Sequence, residues 1–366
     1  MKNVIYIVKS ELHVYPPCVT QIRLLKQCGV NVSVLCGSCD TVVTKIFESE
    51  KIPYLLLKDP RGKYKGRLDK INNYLTFRHS LKKELRRRDL SNTILWFGNA
   101  ETLLSMKGVL NNYKYAVSFL ELLDDHPFRM RLLKKLANDS VFNLSCEETR
   151  SYIMKAWWKL KKLPYLMPNK PFDSPTRFRN VTHPEAQKIL DGLDGKKIIL
   201  YQGLIKNKDI LENFAKAVES IGGDYVLLLM GSDRENIIPD IKKISDKVYS
   251  GWVTAPDHLQ ITSHAYIGVL FYDGDYCLNN AFCAPNKIYE YSAFGIPMIA
   301  NNIPGLSNTV GNCGAAVCSD LSVESIVMSI KQITENYLEM QTASSRFFSA
   351  IDMTGIMNRI IRENLE

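Results

Sequence analysis

Short apolar runs recur along this chain, each followed by a segment of helical character. This alternation restricts the fold more than any other feature. Residues 4–8, 30–35, 54–57, 94–97, 116–119 and 140–144 read as strands, and helices fit residues 19–27, 69–87, 129–137 and 147–157. Runs with no polar alternation suit strands buried on both faces, and strands joined by helical crossovers run parallel. The expected class is α/β, with doubly wound parallel sheets covered on both sides by helices.

The alternation breaks once, around residues 163–173, where Pro164, Pro168 and Pro171 fall close together and Pro175 follows. Such a stretch reads as an interdomain linker. Beyond it the pattern resumes, with strands at 197–201, 225–230, 267–271 and 298–300, a short one at Val317, and helices at 210–220, 257–264, 322–335 and 337–351. A length of 366 residues suits about two domains. We expect an N-terminal domain over 1–170, a C-terminal domain over 171–345 and a tail over 346–366.

No run approaches the roughly 18 apolar residues of a membrane span, and the N-terminus opens into a strand without a signal-peptide pattern. The expected location is the cytoplasm. Of nine cysteines, only Cys36 and Cys39 form a C-x-x-C pair, and it follows a strand with no second ligand pair. Reduced thiols are expected there, with no metal.

Charge is unevenly shared. Residues 1–170 hold 30 Lys and Arg against 15 Asp and Glu, whereas the remainder holds 17 against 23. The basic excess clusters from Arg61 to Arg88 and from Arg129 to Lys162. It suits an anionic partner within about a Debye length: lipid headgroups, a lipid-diphosphate acceptor or nucleic acid. No nucleic-acid-binding motif appears and aromatics are not interleaved with the basic residues, so nucleic acid is not expected. A solvated helix face would have the same composition.

The segment Pro285-Asn286-Lys287-Ile288-Tyr289-Glu290-Tyr291, followed by Gly295-Ile296-Pro297, reads as a loop, a short helix, a glycine turn and a buried strand. Pro285 suits a helix entry, Gly295 its left-handed exit. Lys287 and Glu290 then lie three residues apart on one helix face. Free amides, a cation and a carboxylate together suit a diphosphate joined to a ribose. This segment resembles the nucleotide-sugar site of retaining glycosyltransferases of the GT-B fold, in the large family numbered four. The resemblance implies two Rossmann-like domains facing a cleft, a tail crossing back to the first domain, and Glu290 on the donor ribose.

Further donor residues follow from the same resemblance. Strand 198–201 ends at Gln202-Gly203-Leu204-Ile205-Lys206-Asn207-Lys208, where the family holds the donor diphosphate with an Arg and a Lys. Lys208 fits the Lys, Lys206 stands in for the Arg, and Gly203 admits close backbone approach. Trp252 and the main chain of Val253 are the expected base pocket. Ala284, Asn286 and Ile288 complete the donor set with Lys287. Many relatives carry a glutamate eight residues before Glu290; that position is Phe282. Asp273 and Asp275 read as loop residues, so no metal is expected.

The N-terminal half is the expected acceptor side. Glu121 ends a strand where similar family members have a His-Glu or Asp-Glu dipeptide, of which Leu120-Glu121 keeps only the second half; Asp124, Asp125 and His126 follow, His13 lies in the first strand-to-helix loop, and Phe97-Gly98-Asn99 ends another strand. Lys208, Glu290, Glu121 and His13 are the candidate catalytic residues. The implied activity is metal-independent hexosyl transfer, with retention, from a nucleoside diphosphate sugar to a hydroxyl of a glycan or lipid-linked glycan. UDP-sugar is the favoured donor, bacterial surface polysaccharide or glycolipid synthesis the expected setting, and the cytoplasmic membrane face a candidate docking surface. An inactive assembly partner of the same shape, or an epimerase or hydrolase of nucleotide sugars, are the alternatives.

Overall fold

The computed structural model describes residues 3–58 and 67–366, so Arg61, Lys63 and Lys65 of the basic cluster lie outside the described residues. The chain divides into two compact units. The first comprises Met1–Phe172, Cys277–Asn279 and Asp352–Glu366; the second comprises Asp173–Tyr276 and Asn280–Ile351.

In the first unit, β1 (Asn3–Glu11), β2 (Asn31–Ser38), β3 (Tyr54–Leu56), β4 (Thr93–Phe97), β5 (Tyr115–Phe119), β6 (Phe142–Ser145) and β7 (Tyr165–Leu166) form a parallel sheet of order β3-β2-β1-β4-β5-β6-β7. Its helices are α1 (Pro16–Gln27), α2 (Thr41–Ser49), α3 (Arg67–Leu85), α4 (Ala100–Ser105), α5 (Pro127–Asp139) and α6 (Glu148–Trp158). Capping fixes several starts: Asp40 accepts from the Val43 amide at 2.8 Å, Asn99 from the Thr102 amide at 2.8 Å, and Glu147 from the Arg150 amide at 2.8 Å. Pro16 and Pro17, which precede the helix expected over residues 19–27, are the first residues of α1, where a missing N–H costs nothing.

The second unit has helices α7 (Pro184–Asp191), α8 (Lys208–Ile221), α9 (Ile238–Lys242), α10 (His258–Thr262), α11 (Leu278–Ala281, its first two residues in the first unit), α12 (Asn286–Ala293), α13 (Pro304–Leu306), α14 (Val323–Glu335) and α15 (Tyr337–Ser349). Its strands β8 (Lys197–Gln202), β9 (Tyr225–Met230), β10 (Val248–Gly251), β11 (Ile267–Leu270), β12 (Met298–Asn301) and β13 (Ala316–Ser319) form a parallel sheet of order β10-β9-β8-β11-β12-β13. The final helix, α16 (Met353–Asn364), packs on α1 in the first unit. Both faces of the second sheet are buried. Ile198 and Leu200 enter one core with Ile288 and Tyr291, while Ile199 and Tyr201 enter the other with Phe214 and Ile330. That period of two explains why its strands read as unbroken apolar runs.

Two expectations change in detail. Part of the anticipated linker is structural: Tyr165 and Leu166 pair with β6, and the Met167 amide donates to Ser145 at 2.8 Å. The flanking prolines leave these residues their donors, and a two-residue edge strand needs no more. The units divide after Phe172 and again after Ile351, and α15 runs unbroken through residue 346. Helices α2, α4, α7 and α9 were not expected from periodicity; each has nine residues or fewer, too few for a repeating apolar stripe.

At the carboxyl edge of the second sheet, β8 and β9 meet through backbone alone. The Gly203 amide donates to Met230 at 2.9 Å, the Gly231 amide donates to Gly251 at 3.0 Å, and a Cβ on Gly231 would overlap the Gly203 carbonyl oxygen. Gly231→Ala must therefore push two strand ends apart. It should lower unfolding free energy by about 2 kcal/mol or more in a denaturant titration. A change within about 0.5 kcal/mol, the range of a neutral surface substitution, would show that the edge yields freely.

Candidate functional site

In the second sheet the chain leaves β8 toward β9 and β10 on one side and continues through β11 to β13 on the other. The neighbouring carboxyl ends of β8 and β11 form a topological switch point, where open parallel sheets carry their ligand crevices. Gln202 and Gly203 end one strand; Phe271 and Tyr272 follow the other. Asn301 fixes the second edge, accepting from the Tyr272 amide at 3.1 Å and donating to its carbonyl at 2.7 Å.

Lys287, in the first turn of α12, lies over this edge. Its Nζ is 4.6 Å from the Tyr201 ring centroid and 5.9 Å from that of Tyr272. Its Cε and Nζ are each 3.0 Å from where a Gly203 Cβ would stand, so a side chain at that position would displace the ammonium. Burial lowers the Lys287 pKa to about 8; the positive charge of Lys206 adds to this, and Glu290 opposes it. Among the described residues, no ion pair engages the Lys287 ammonium.

Glu290 lies one turn further along α12, with 22% of its side chain exposed. Gln202 Nε2 donates to its Oε2, and His258 Nε2 is 3.6 Å from the same oxygen. Gln202 is itself set by Thr262, whose hydroxyl donates to Gln202 Oε1 at 2.7 Å. The other nitrogen of His258, Nδ1, is buried without a hydrogen-bond partner among the described residues. The carboxylate is thus aimed by side chains from β8 and α10 and still reaches solvent.

The other expected donor residues divide into two groups. Gly203, Lys206, Lys287, Asn286 and Glu290 lie on the β8 turn or on α12. Lys208, the first residue of α8, is already ion-paired, at 2.7 Å from Asp240 and 3.8 Å from Glu212. Trp252 follows β10 with its side chain 64% exposed, so it does not pack the core. Val253 and Ile288 are buried in the apolar core, which leaves only their main chains for a ligand. The Ile288 amide already donates to Pro285 at 3.4 Å. Ala284 is half-buried just before the α12 cap, and Asp273 accepts from the Asp275 amide at 3.2 Å, closing its own loop.

The first unit has its own switch point at β1 and β4. His13 lies on the 3-10 turn after β1 and Asn99 caps α4 after β4; His13 Nδ1 and Asn99 Nδ2 are buried without hydrogen-bond partners among the described residues. Nearby, Lys9 is 96% buried, pairs with Glu101 at 3.2 Å and lies 4.3 Å from the Tyr74 ring, whose hydroxyl donates to Glu101 at 3.1 Å. Glu121 is exposed after β5. The Asp124 carboxylate accepts from the amides of Leu278 at 2.6 Å and Asn279 at 3.1 Å. Asp125 and His126 are 3.8 Å apart at the surface.

Sequence reasoning missed Gln202, His258, Thr262 and the Lys9–Tyr74–Glu101 group. Gln202 had a signal, being polar at the end of an apolar strand. The others come together only across the fold.

No family model and no curated protein matches the sequence. Solved structures do. A glycosyltransferase from Rickettsia africae is 16% identical with a TM-score of 0.66, covering 100% of this chain and 98% of that one. HepE from Anabaena, solved with UDP and glucose, is 12% identical with a TM-score of 0.71, covering 99% of each. A Listeria monocytogenes protein described as a UDP-N-acetylglucosamine 2-epimerase is 11% identical with a TM-score of 0.64, covering 99% of this chain and 95% of that one. The likeness shows the fold: two parallel-sheet α/β units of the GT-B class.

The Lys287 site yields a direct test. With 13C-labelled lysine, its Cε resonance should titrate with a midpoint near pH 8, separated from the other lysines. A midpoint above about 10, the ordinary lysine range, would mean that the ammonium is fully hydrated.

Proposed function

We propose that this chain is a glycosyltransferase that uses a nucleoside diphosphate sugar, with UDP-sugar as donor. One observation carries the reading: at a topological switch point, a half-buried ammonium without an ion-pair partner among the described residues lies over Gly203, one helical turn from a carboxylate aimed by Gln202 and His258. The donor diphosphate would lie against Lys287, Lys206 and the Gly203 turn, and Glu290 would accept from the ribose hydroxyls. Departure of the nucleoside diphosphate builds negative charge on its oxygens, and a cation held in a partly dry site stabilises that charge where it develops. Lys208 would join only by leaving Asp240, so Lys287 replaces it as the principal cation. Lys287 and Lys206 supply the countercharge that a divalent ion supplies elsewhere, and on this reading EDTA leaves turnover unchanged.

The finer reading extends the resemblance to family four. Transfer proceeds with retention onto a hydroxyl of a glycan or lipid-linked glycan in bacterial surface polysaccharide or glycolipid synthesis. His13 and Glu121 belong to the acceptor side, and Trp252 stands at the base. Among the described residues no helix is long and apolar enough to cross a membrane, so a lipid-linked acceptor would be met at a surface. The basic residues of α5 and α6 are the candidate contact. Flotation with vesicles containing anionic lipid should recover the protein at low salt and lose it at high salt; equal recovery with neutral vesicles would remove this docking mode.

Binding of UDP tests the site. UDP should raise the melting temperature, and Glu290→Ala should weaken binding at least about tenfold, or 1.4 kcal/mol. Lys287→Met should cost more than Lys208→Ala, because Lys208 is already paired. The anion needs the protonated ammonium, so affinity should hold between pH 7 and the Lys287 pKa of about 8 and fall above it. Unchanged affinity in both Glu290→Ala and Lys287→Met would reject the assignment. The epimerase neighbour supports a second reading. Release of UDP only when acceptor is present marks a transferase; a donor isomerised with its UDP still attached marks an epimerase.

A further inference from the structure

The structure assigns a redox-active dithiol to Cys36 and Cys39: the geometry points to a pair that closes to an intramolecular disulfide by exchange with a small-molecule disulfide of the glutathione type. The two Sγ atoms are 3.2 Å apart. A disulfide requires about 2.05 Å, so closure needs a movement of roughly 1 Å.

The two residues are held unequally. Cys36 is fully buried on β2, opposite Val8 of β1 and Leu56 of β3, and its carbonyl accepts from the Leu57 amide at 2.7 Å. Cys39 lies in the two-residue connection between β2 and α2, and its side chain is half-buried. One thiol is therefore fixed by the sheet, and the other lies outside it with access to solvent. Their charges divide the same way. Cys39 is lowered below the usual thiol range by its hydrogen bond with Cys36, and Cys36 is raised by that bond and by burial. Cys39 is the attacking thiolate and Cys36 the resolving thiol.

The exchange balances in two steps. Cys39 Sγ⁻ attacks one sulfur of glutathione disulfide; that S–S bond breaks and a glutathione thiolate leaves. Cys36 then gives up its proton to a thiolate and attacks Cys39 Sγ, forming the Cys36–Cys39 bond and releasing the second glutathione. Two protein thiols are oxidised and one glutathione disulfide is reduced to two thiols. The pair lies at the carboxyl end of β2, where Ser38 is in register with Glu11, two residues before His13. The inference does not depend on the proposed glycosyl transfer.

The test uses the full chain, reduced and then equilibrated with glutathione mixtures, acid-quenched and alkylated. Trypsin releases residues 27–45, which carry Cys28, Cys36 and Cys39. With rising glutathione disulfide this peptide should pass from three alkyl groups to one, on Cys28, and lose two hydrogens relative to the reduced form. Cys36→Ser should stop at a glutathione adduct on Cys39. Phenylarsine oxide should bind the unsubstituted protein and be released by a dithiol but not by a monothiol, a readout that needs no variant. Retention of three alkyl groups in excess glutathione disulfide, accumulation of the adduct on the unsubstituted chain, or pairing of either residue with another cysteine would each overturn the inference.

Discussion

The close approach of Gly203 and Gly231 is the constraint on which the candidate site rests. Parallel strands end on one edge, and any side chain at Gly231 would intrude on the backbone of the neighbouring turn. With both positions bare, the β8 turn can lie flat under the Lys287 side chain. The cation then rests on backbone and on the Tyr201 ring, and its partial dehydration follows from that packing. A lysine at the same helical position over ordinary side chains would extend into water and keep its usual pKa.

Electrostatics in the crevice follow from this placement. A single unpaired cation in a half-dry site attracts an anion more strongly than several hydrated ones, because less water must be displaced around it. Lys208 shows the contrast: its ammonium is shared among Asp240 and Glu212 at a more open position. Glu290 stands one turn from the cation, and Gln202 donates to one of its carboxylate oxygens. Charge is thus separated along α12, positive toward the strand edge and negative one turn on.

The first unit repeats the architecture without repeating the chemistry. At its switch point Asn99 caps a helix and Lys9 pairs with Glu101, and beyond β5 Asp124 accepts two amides. The two units therefore present different polar groups although both are wound alike.

Much of this was legible beforehand. Unbroken apolar runs between helical segments required parallel sheets with both faces covered, and the Lys287–Glu290 spacing on a proline-started helix placed cation and carboxylate on one face. Gly295 marked the helix exit because glycine takes the left-handed conformation without strain, and its φ is +64°. The ranking of the lysines was not legible, since Lys206, Lys208 and Lys287 are equivalent until the fold gives Lys208 an acidic neighbour and Lys287 an aromatic floor. His258 and Thr262 joined Glu290 only through α10, and Cys36 and Cys39 were a spacing until β2 and its turn brought their sulfurs together. Local pattern determines which elements form because it acts through nearest neighbours along the chain. Tertiary structure decides which charges remain free, because that depends on groups many residues away in sequence.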